Sequence, residues 1–239
     1  MRTYFLPILL LFFFCESCMN NLVEPPDEAL VPGNRVKEVF YGGMDPDSSG
    51  FSRINQPVSG GFVHQYMQVE VGQGTDFFAD PVDSTSIATA PFVYEEVVGD
   101  FVAKAYVRPD FGGTWNAVSL MVIQDRDHWI KFAFEESDAT GPSVVTVVTR
   151  GVSDDANGAF FQQTKALWLK LVRKGNVYAM HWSQDDKHYY MARLAAMPAA
   201  DTVRVGVSFQ CPVDSIANHD LIYYGLENKT VEDVRNLNG

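Results

Sequence analysis

Cysteine is scarce in this chain, and that scarcity limits how it can be held together. Of 239 residues only Cys15, Cys18 and Cys211 are cysteines. The first two lie in the N-terminal apolar run, so Cys211 stands alone and the folded part has no internal disulfide. Stability must come from a core. Cys211 closes the apolar segment 203–210 and reads as a buried, inert thiol. Basic residues are also few. Eighteen Lys and Arg against thirty Asp and Glu leave a net charge of −12, which excludes nucleic acid as an electrostatic partner.

Several chemical signatures are missing. There is no Gly-x-Ser-x-Gly elbow, no glycine-rich phosphate loop, and no second apolar stretch long enough to span a bilayer. The histidines at 64, 128, 181, 188 and 219 show no His-x-His or His-x-x-x-His spacing, so zinc has no ligand pair. No cofactor is called for. Calcium is the one metal with donors to offer, at Asp125-Arg-Asp127 and Asp154-Asp155, although aspartates in turns usually bond their own backbone. Ser153-Asp154 reads as a turn, not as a nucleophile and its partner.

What is present begins at the N-terminus. Residues 1–18 have the form of a secretory signal: Arg2, then the apolar run Phe5–Phe14, then Ser17-Cys18. Cys18 stands where a bacterial lipoprotein signal is cut and lipidated. The expectation is export to the bacterial cell envelope, with a membrane partner through the lipid on Cys18. Residues 19–50 are rich in Pro and Gly and read as a linker with an irregular lead-in. Residues 226–239 form a C-terminal tail, with a short helical pattern over 230–236.

Between them, 51–225 reads as one β domain. Strands are expected at 63–71, 92–98, 100–108, 117–125, 128–136, 143–150, 165–173, 176–183, 188–194 and 202–210, with a short aromatic segment at 75–78. The alternation is plain in 101–108, where Phe101, Ala103, Ala105 and Val107 oppose Val102, Lys104, Tyr106 and Arg108. It is equally plain in 128–135, where Ile130, Phe132 and Phe134 oppose Trp129, Lys131, Ala133 and Glu135. A period of two marks a sheet with one face on a core. About ten short strands without a long helical pattern imply a sandwich or barrel.

A set of phrases carries a resemblance. They are Gly74-Thr-Asp-Phe-Phe78, Ala90-Pro-Phe92, Gly99-Asp-Phe101, Ser119-Leu-Met-Val122, the run 128–135, the run 147–154, Trp168-Leu-Lys-Leu-Val-Arg173 and Gly206. Together, from about residue 55 to 212, the chain resembles a bacterial and fungal family of domains of unknown function, often labelled as the enolase-regulator type. That resemblance implies a concanavalin A-like jelly roll: an all-β sandwich of two antiparallel sheets, as in plant lectins and laminarinase-type glycosidases. It implies no activity. Two positions depart from the family pattern. Trp115-Asn-Ala-Val-Ser119 replaces a run of Tyr-Asp-Gln-Ala-Gly, and Asp155 stands where tryptophan is common.

Candidate ligand residues follow from strand parity. Trp129, Lys131 and Glu135 share one side of their strand. Trp168 and Lys170 share one side of theirs, opposite Leu167, Leu169 and Leu171. Arg204, Ser208 and Gln210 likewise oppose a row of apolar residues. Tryptophan among charged and amide side chains on an outer sheet face suits sugars, whose ring faces stack on aromatics while hydroxyls meet polar groups. The expected site places Lys131 and Glu135 side by side near Trp129, within reach of Trp168 or Lys170. Carbohydrate binding is the leading reading. A glycoside hydrolase is the alternative, but its carboxylate pair is not legible: Glu136-Ser-Asp138 starts like a laminarinase strand and lacks the third acid. A protein-interaction module without a sugar ligand is the third reading.

Overall fold

The structure is a computed structural model that describes residues 33–44 and 49–237. The signal segment, Cys18 and most of the linker lie outside the described residues. In chain order come α1 (Val36–Met44), β1 (Ser52–Ile54), β2 (Ser59–Val63), β3 (Tyr66–Gly72), β4 (Phe77–Ala79) and β5 (Ser86–Ala88). They are followed by β6 (Phe92–Val98), β7 (Phe101–Arg108), β8 (Ala117–Ile123), β9 (His128–Ser137), β10 (Gly141–Arg150) and β11 (Val152–Phe160). The last are β12 (Leu167–Lys174), β13 (Val177–Ser183), β14 (Tyr190–Ala196), β15 (Thr202–Gln210) and β16 (Ile216–Glu227).

Two seven-stranded antiparallel sheets make the sandwich. The first runs β1-β6-β15-β8-β9-β10-β11 and the second β14-β13-β12-β7-β16-β3-β2. The expected jelly roll is what the chain forms. Alternation supplies both inner faces. From the first sheet come Leu120, Ile130, Phe132, Phe134, Val205 and Val207; from the second come Phe101, Ala103, Ala105, Leu169 and Leu171. All are buried in one cluster, and burial of this kind contributes about 25 cal/mol per Å² of apolar surface.

The hairpin β4–β5 forms a third, two-stranded layer over the outer face of the first sheet. Its tip is built from aspartate turns: Asp80 Oδ1 accepts from the Val82 amide at 2.6 Å and Asp83 Oδ1 from the Thr85 amide at 2.8 Å. Its base is tied to the sheet. The Ala79 amide donates to buried Ser153 Oγ at 2.9 Å, and Asn55 Nδ2 donates to the carbonyls of Ala88 and Ala90. Phe77 packs with Phe92, Met121, Ile123 and Trp129 in a second, smaller core. The seven residues of β8 are therefore buried on both sides.

Four expectations need correction. Residues 36–44, placed in an irregular lead-in, form α1, and Val36, Val39 and Phe40 sit in the main core. Their i, i+3, i+4 spacing is one helical face, and Asn34 Oδ1 caps it by accepting from the Val36 amide at 3.1 Å. The tail over 230–236 has no helix, because its carbonyls bond the second sheet instead: Lys174 Nζ donates to Glu232 O and His181 Nε2 to Val234 O. Ser153-Asp154, read as a turn, lies in the edge strand β11, which spans 152–160. Residues 216–227, unassigned in sequence, form β16, which is a central strand between β7 and β3.

Candidate functional site

The cavity that gathers the most chemistry lies between the outer face of the first sheet and the hairpin. It encloses about 470 Å³, within the range of small-molecule sites. Its floor is a register row. Gln210 pairs with Ala117, and Ala117 pairs with Glu135. Lys131 lies four residues back along β9, with Val147 beside it and Asp155 beyond on β11. Alternation turns all of these outward, away from the main core.

The floor is polar and buried. Lys131 is 3% exposed and Glu135 is 6% exposed. Lys131 Nζ donates to Asp76 Oδ1 and to Gln210 Oε1, both at 3.0 Å. Gln210 Nε2 donates to Trp115 O at 2.7 Å and, weakly, to Glu135 Oε2 at 3.4 Å. Burial pushes the Glu135 carboxyl up to about 7; Lys131 opposes the shift, and Asp76, Asp155 and Asp138 add to it. A carboxyl of this kind exchanges its proton near neutrality.

Trp115 stands at the mouth, 41% exposed, with a φ of 63°. That is the left-handed region, which a bulky residue rarely adopts. The loop forces it there. The Trp115 amide donates to Glu136 O at 2.6 Å while its carbonyl accepts from Gln210. Ahead of it, Gly113 packs so closely on the Asp214 carboxylate that any Cβ would collide with it. Exposed Ile87 and Val213 complete an apolar rim.

The predicted residues separate into three places. Lys131 and Glu135 share one outer face and one pocket, as expected. Trp129 is on the same face but is buried beneath the hairpin, with its ring 6.2 Å from that of Phe77. It packs against the hairpin, outside the cavity that Lys131 and Glu135 line. Trp168 and Lys170 are not within reach of Lys131. They lie on β12, in the second sheet, and their side chains face away from the core on the opposite side of the sandwich. There Trp168 stacks on Tyr106 at 4.6 Å, with Lys104 Nζ 4.7 Å from its ring. Lys170 Nζ sits over Tyr189 at 3.3 Å, and burial, aided by Lys104, pushes its amine down to about 8.

Asp76, Trp115 and Gln210 were not among the predicted site residues. Gln210 was visible as a polar residue on an apolar strand. Trp115 and Asp155 were visible as the two departures from the family pattern, and both line this pocket. Of the calcium donors read from sequence, Asp125 bonds His128 and its own turn amides and Asp154 pairs with Arg193, while Asp127 and Asp155 have no ion-pair partner among the described residues and Asp155 lines the pocket. Among the described residues no group of three His, Cys, Asp or Glu is placed to hold a metal ion. Cys211 is buried, and burial pushes its thiol up.

Fold and site together define a two-sheet jelly-roll domain with a ligand-sized pocket under a hairpin. Residues 54–222 match the family described as Protein of unknown function (DUF1349), and the chain belongs to it. It is 26% identical over 138 residues to Regulation of enolase protein 1 of Saccharomyces cerevisiae, spanning 58% of this chain and 69% of that protein. Among solved structures, it is similar to a functionally unknown protein from Saccharomyces cerevisiae, with a TM-score of 0.71 and 23% identity over 77% of this chain and 98% of that one. It is also similar to the GH43 protein BlXynB of Bacillus licheniformis, with a TM-score of 0.59 and 13% identity over 75% of this chain and 37% of that one. At these identities the likeness to solved structures establishes the fold alone.

Proposed function

We propose that this protein binds glycans in the pocket between β9, β15 and the β4–β5 hairpin, and that it does so at the bacterial cell envelope, exported and lipid-anchored through Cys18. The observation that carries the binding reading is Trp115. Its ring is held at the mouth of the cavity by a strained backbone, over a floor where Lys131, Gln210 and Glu135 offer fixed polar groups. An aromatic platform above oriented donors and acceptors is what a pyranose ring needs. Residues 19–32, ahead of α1, would act as the tether. A glycan array followed by calorimetry tests the binding. Trp115→Ala should weaken the captured glycan roughly 30-fold with the melting temperature kept. An array silent for every glycan would overturn the reading and favour a protein partner. For the anchor, labelled palmitate should enter the wild-type protein and not Cys18→Ala; no labelling of either leaves simple secretion.

Glycoside hydrolysis is the second reading, and one observation favours it. A buried carboxyl that titrates near 7 is suited to a general acid, and Asp76 lies close enough to Glu135 to influence it. The same polysaccharides that bind should then release reducing ends, and Glu135→Gln should abolish that release. Turnover without added cofactor would replace the binder reading.

A further inference from the structure

The charge of the pocket is one-sided. Asp76, Asp80, Glu135, Asp138 and Asp155 line it, against Lys131 as the single cation among its lining residues. Lys131 is spent internally, on Asp76 and Gln210. Asp80, Asp138 and Asp155 have no ion-pair partner among the described residues, and Glu135, which exchanges its proton near 7, adds part of a charge. The field at the mouth is therefore negative, and it repels an anionic ligand while concentrating a cationic one. These acids do not converge on a point, since no three of them are placed to cage a metal ion. A cation carried on a larger ligand fits that layout better.

A second observation is independent of the charge count. Glu135 is more than nine-tenths buried and lines the cavity, yet its one hydrogen bond is the weak contact of Oε2 with Gln210. Oε1 accepts nothing. A ligand N–H or O–H that enters the cavity meets this oxygen without displacing a protein donor. The walls beside it are apolar, with Val145, Val147 and Trp115. A bare polyamine would pack only its methylenes on them; a sugar ring also presents a flat apolar face to the Trp115 ring.

Building on the glycan reading above, we infer that the pocket selects an amino sugar: its ring face lies on Trp115, and its protonated amine meets the carboxylates that no residue of the protein neutralises. Neutral sugars bind less tightly, and uronic acids are excluded.

The full chain is titrated by calorimetry with four oligosaccharides of equal length: β-1,4-glucosamine, its N-acetylated form, β-1,4-glucose and galacturonate. The expected order puts the free amine about tenfold tighter than the acetylated form, with no detectable galacturonate. Raising the salt should erode that preference. In Asp138→Asn and Asp155→Asn the ratio of amine to acetyl affinity should fall several-fold, and in Trp115→Ala binding of both should weaken. Equal or tighter binding of the neutral sugars would overturn the inference while leaving the glycan reading standing. No binding of any of the four, together with a silent glycan array, would remove both. An amine preference that survives Trp115→Ala would place the attraction on the general acidic surface and defeat the inference. So would a lysine tetrapeptide binding as tightly as the glucosamine tetramer.

Discussion

Glu135 on β9 and His219 on β16 lie in different sheets and pull stability in opposite directions with pH. Glu135 is held near 7 against a usual 4.5. Its folded form prefers the proton, so the fold is favoured below 4.5 and loses that advantage as pH rises through 7. The full effect is up to about 3 kcal/mol. Glu135→Gln removes the charge, and the variant should be more stable than the wild type at pH 8.5 and nearly equal to it at pH 4.5, measured by urea unfolding at both. His219 is fully buried, and burial pushes its imidazole down to about 4. Nδ1 accepts from the Asp110 amide at 3.1 Å and Nε2–H donates to Gln210 O at 2.9 Å, so the ring is neutral and a second proton would face an N–H. Its contribution is intact above 6.5 and is lost as pH falls toward 4. His219→Gln should flatten the stability profile across that window and leave the slope above pH 7 alone. Gly206 makes a different demand. A Cβ there would overlap the Val93 carbonyl and the Tyr94 backbone on the neighbouring strand, so Gly206→Ala should cost several kcal/mol and lower the melting temperature sharply.

At the scale of elements, the hairpin decides what the first sheet can do. Without it the outer face would be an open surface; with it, Trp129 and Phe77 become a minor core and the polar floor becomes a pocket. Ser153 is a main fastening, since its buried hydroxyl accepts from the Ala79 amide and also bonds Thr149 at 2.9 Å. Ser153→Ala leaves a buried amide without an acceptor and should cost about 1–3 kcal/mol. The loss should be local: faster hydrogen exchange in β4 and β5, and quicker protease cleavage near residues 80–85, with β7 and β12 unchanged. This layer was poorly legible in the sequence. Residues 75–78 looked like a short aromatic segment, and 86–88 carried no strand signal at all, because all three residues of β5 are exposed. The strands that read well have one wet side and one dry side, as 101–108 does. β16 read badly because buried His219 and Asp220 interrupt its apolar row and a bulge between Leu221 and Tyr223 shifts its parity. β11 is an edge strand whose residues are mostly exposed, so nothing in its composition demands a sheet. Parity gave Lys131 and Glu135 their shared face correctly. It could not supply Asp76, Trp115 or Gln210 as their neighbours, because Asp76 bonds Lys131 across 55 positions and Gln210 bonds Glu135 and Trp115 across 75 and 95, and only the sheet order brings them together.

For the whole molecule, the consequence of the sheet order is two outer faces with separate chemistry. Parity alone put Trp129 and Trp168 in one imagined site, since both are outward tryptophans flanked by lysine. The sandwich sets their strands in different sheets, and the core lies between them. The face with Trp168 is a closed set of partners. Tyr106 and Tyr223 pack on its ring, and Lys104 is bound by the Asp186 carboxylate at 2.8 and 3.1 Å while lying over Trp168 and Tyr223. Its aromatic surface is already used by the protein. The face with Trp115 is the reverse, with one exposed ring over a cavity that the Glu135 carboxyl lines. Two tryptophan substitutions should therefore part company. Trp168→Ala should cost about 1–3 kcal/mol through lost stacking and cation–π contact, with glycan affinity unchanged. Trp115→Ala should leave the melting temperature the same or slightly higher, since it relieves a strained backbone only in part, and should lose most of the affinity. Unfolding curves and calorimetry on the two variants separate these effects. If Trp168→Ala lost binding and Trp115→Ala did not, the site would belong on the second sheet, and the pocket beneath the hairpin would be a feature of packing.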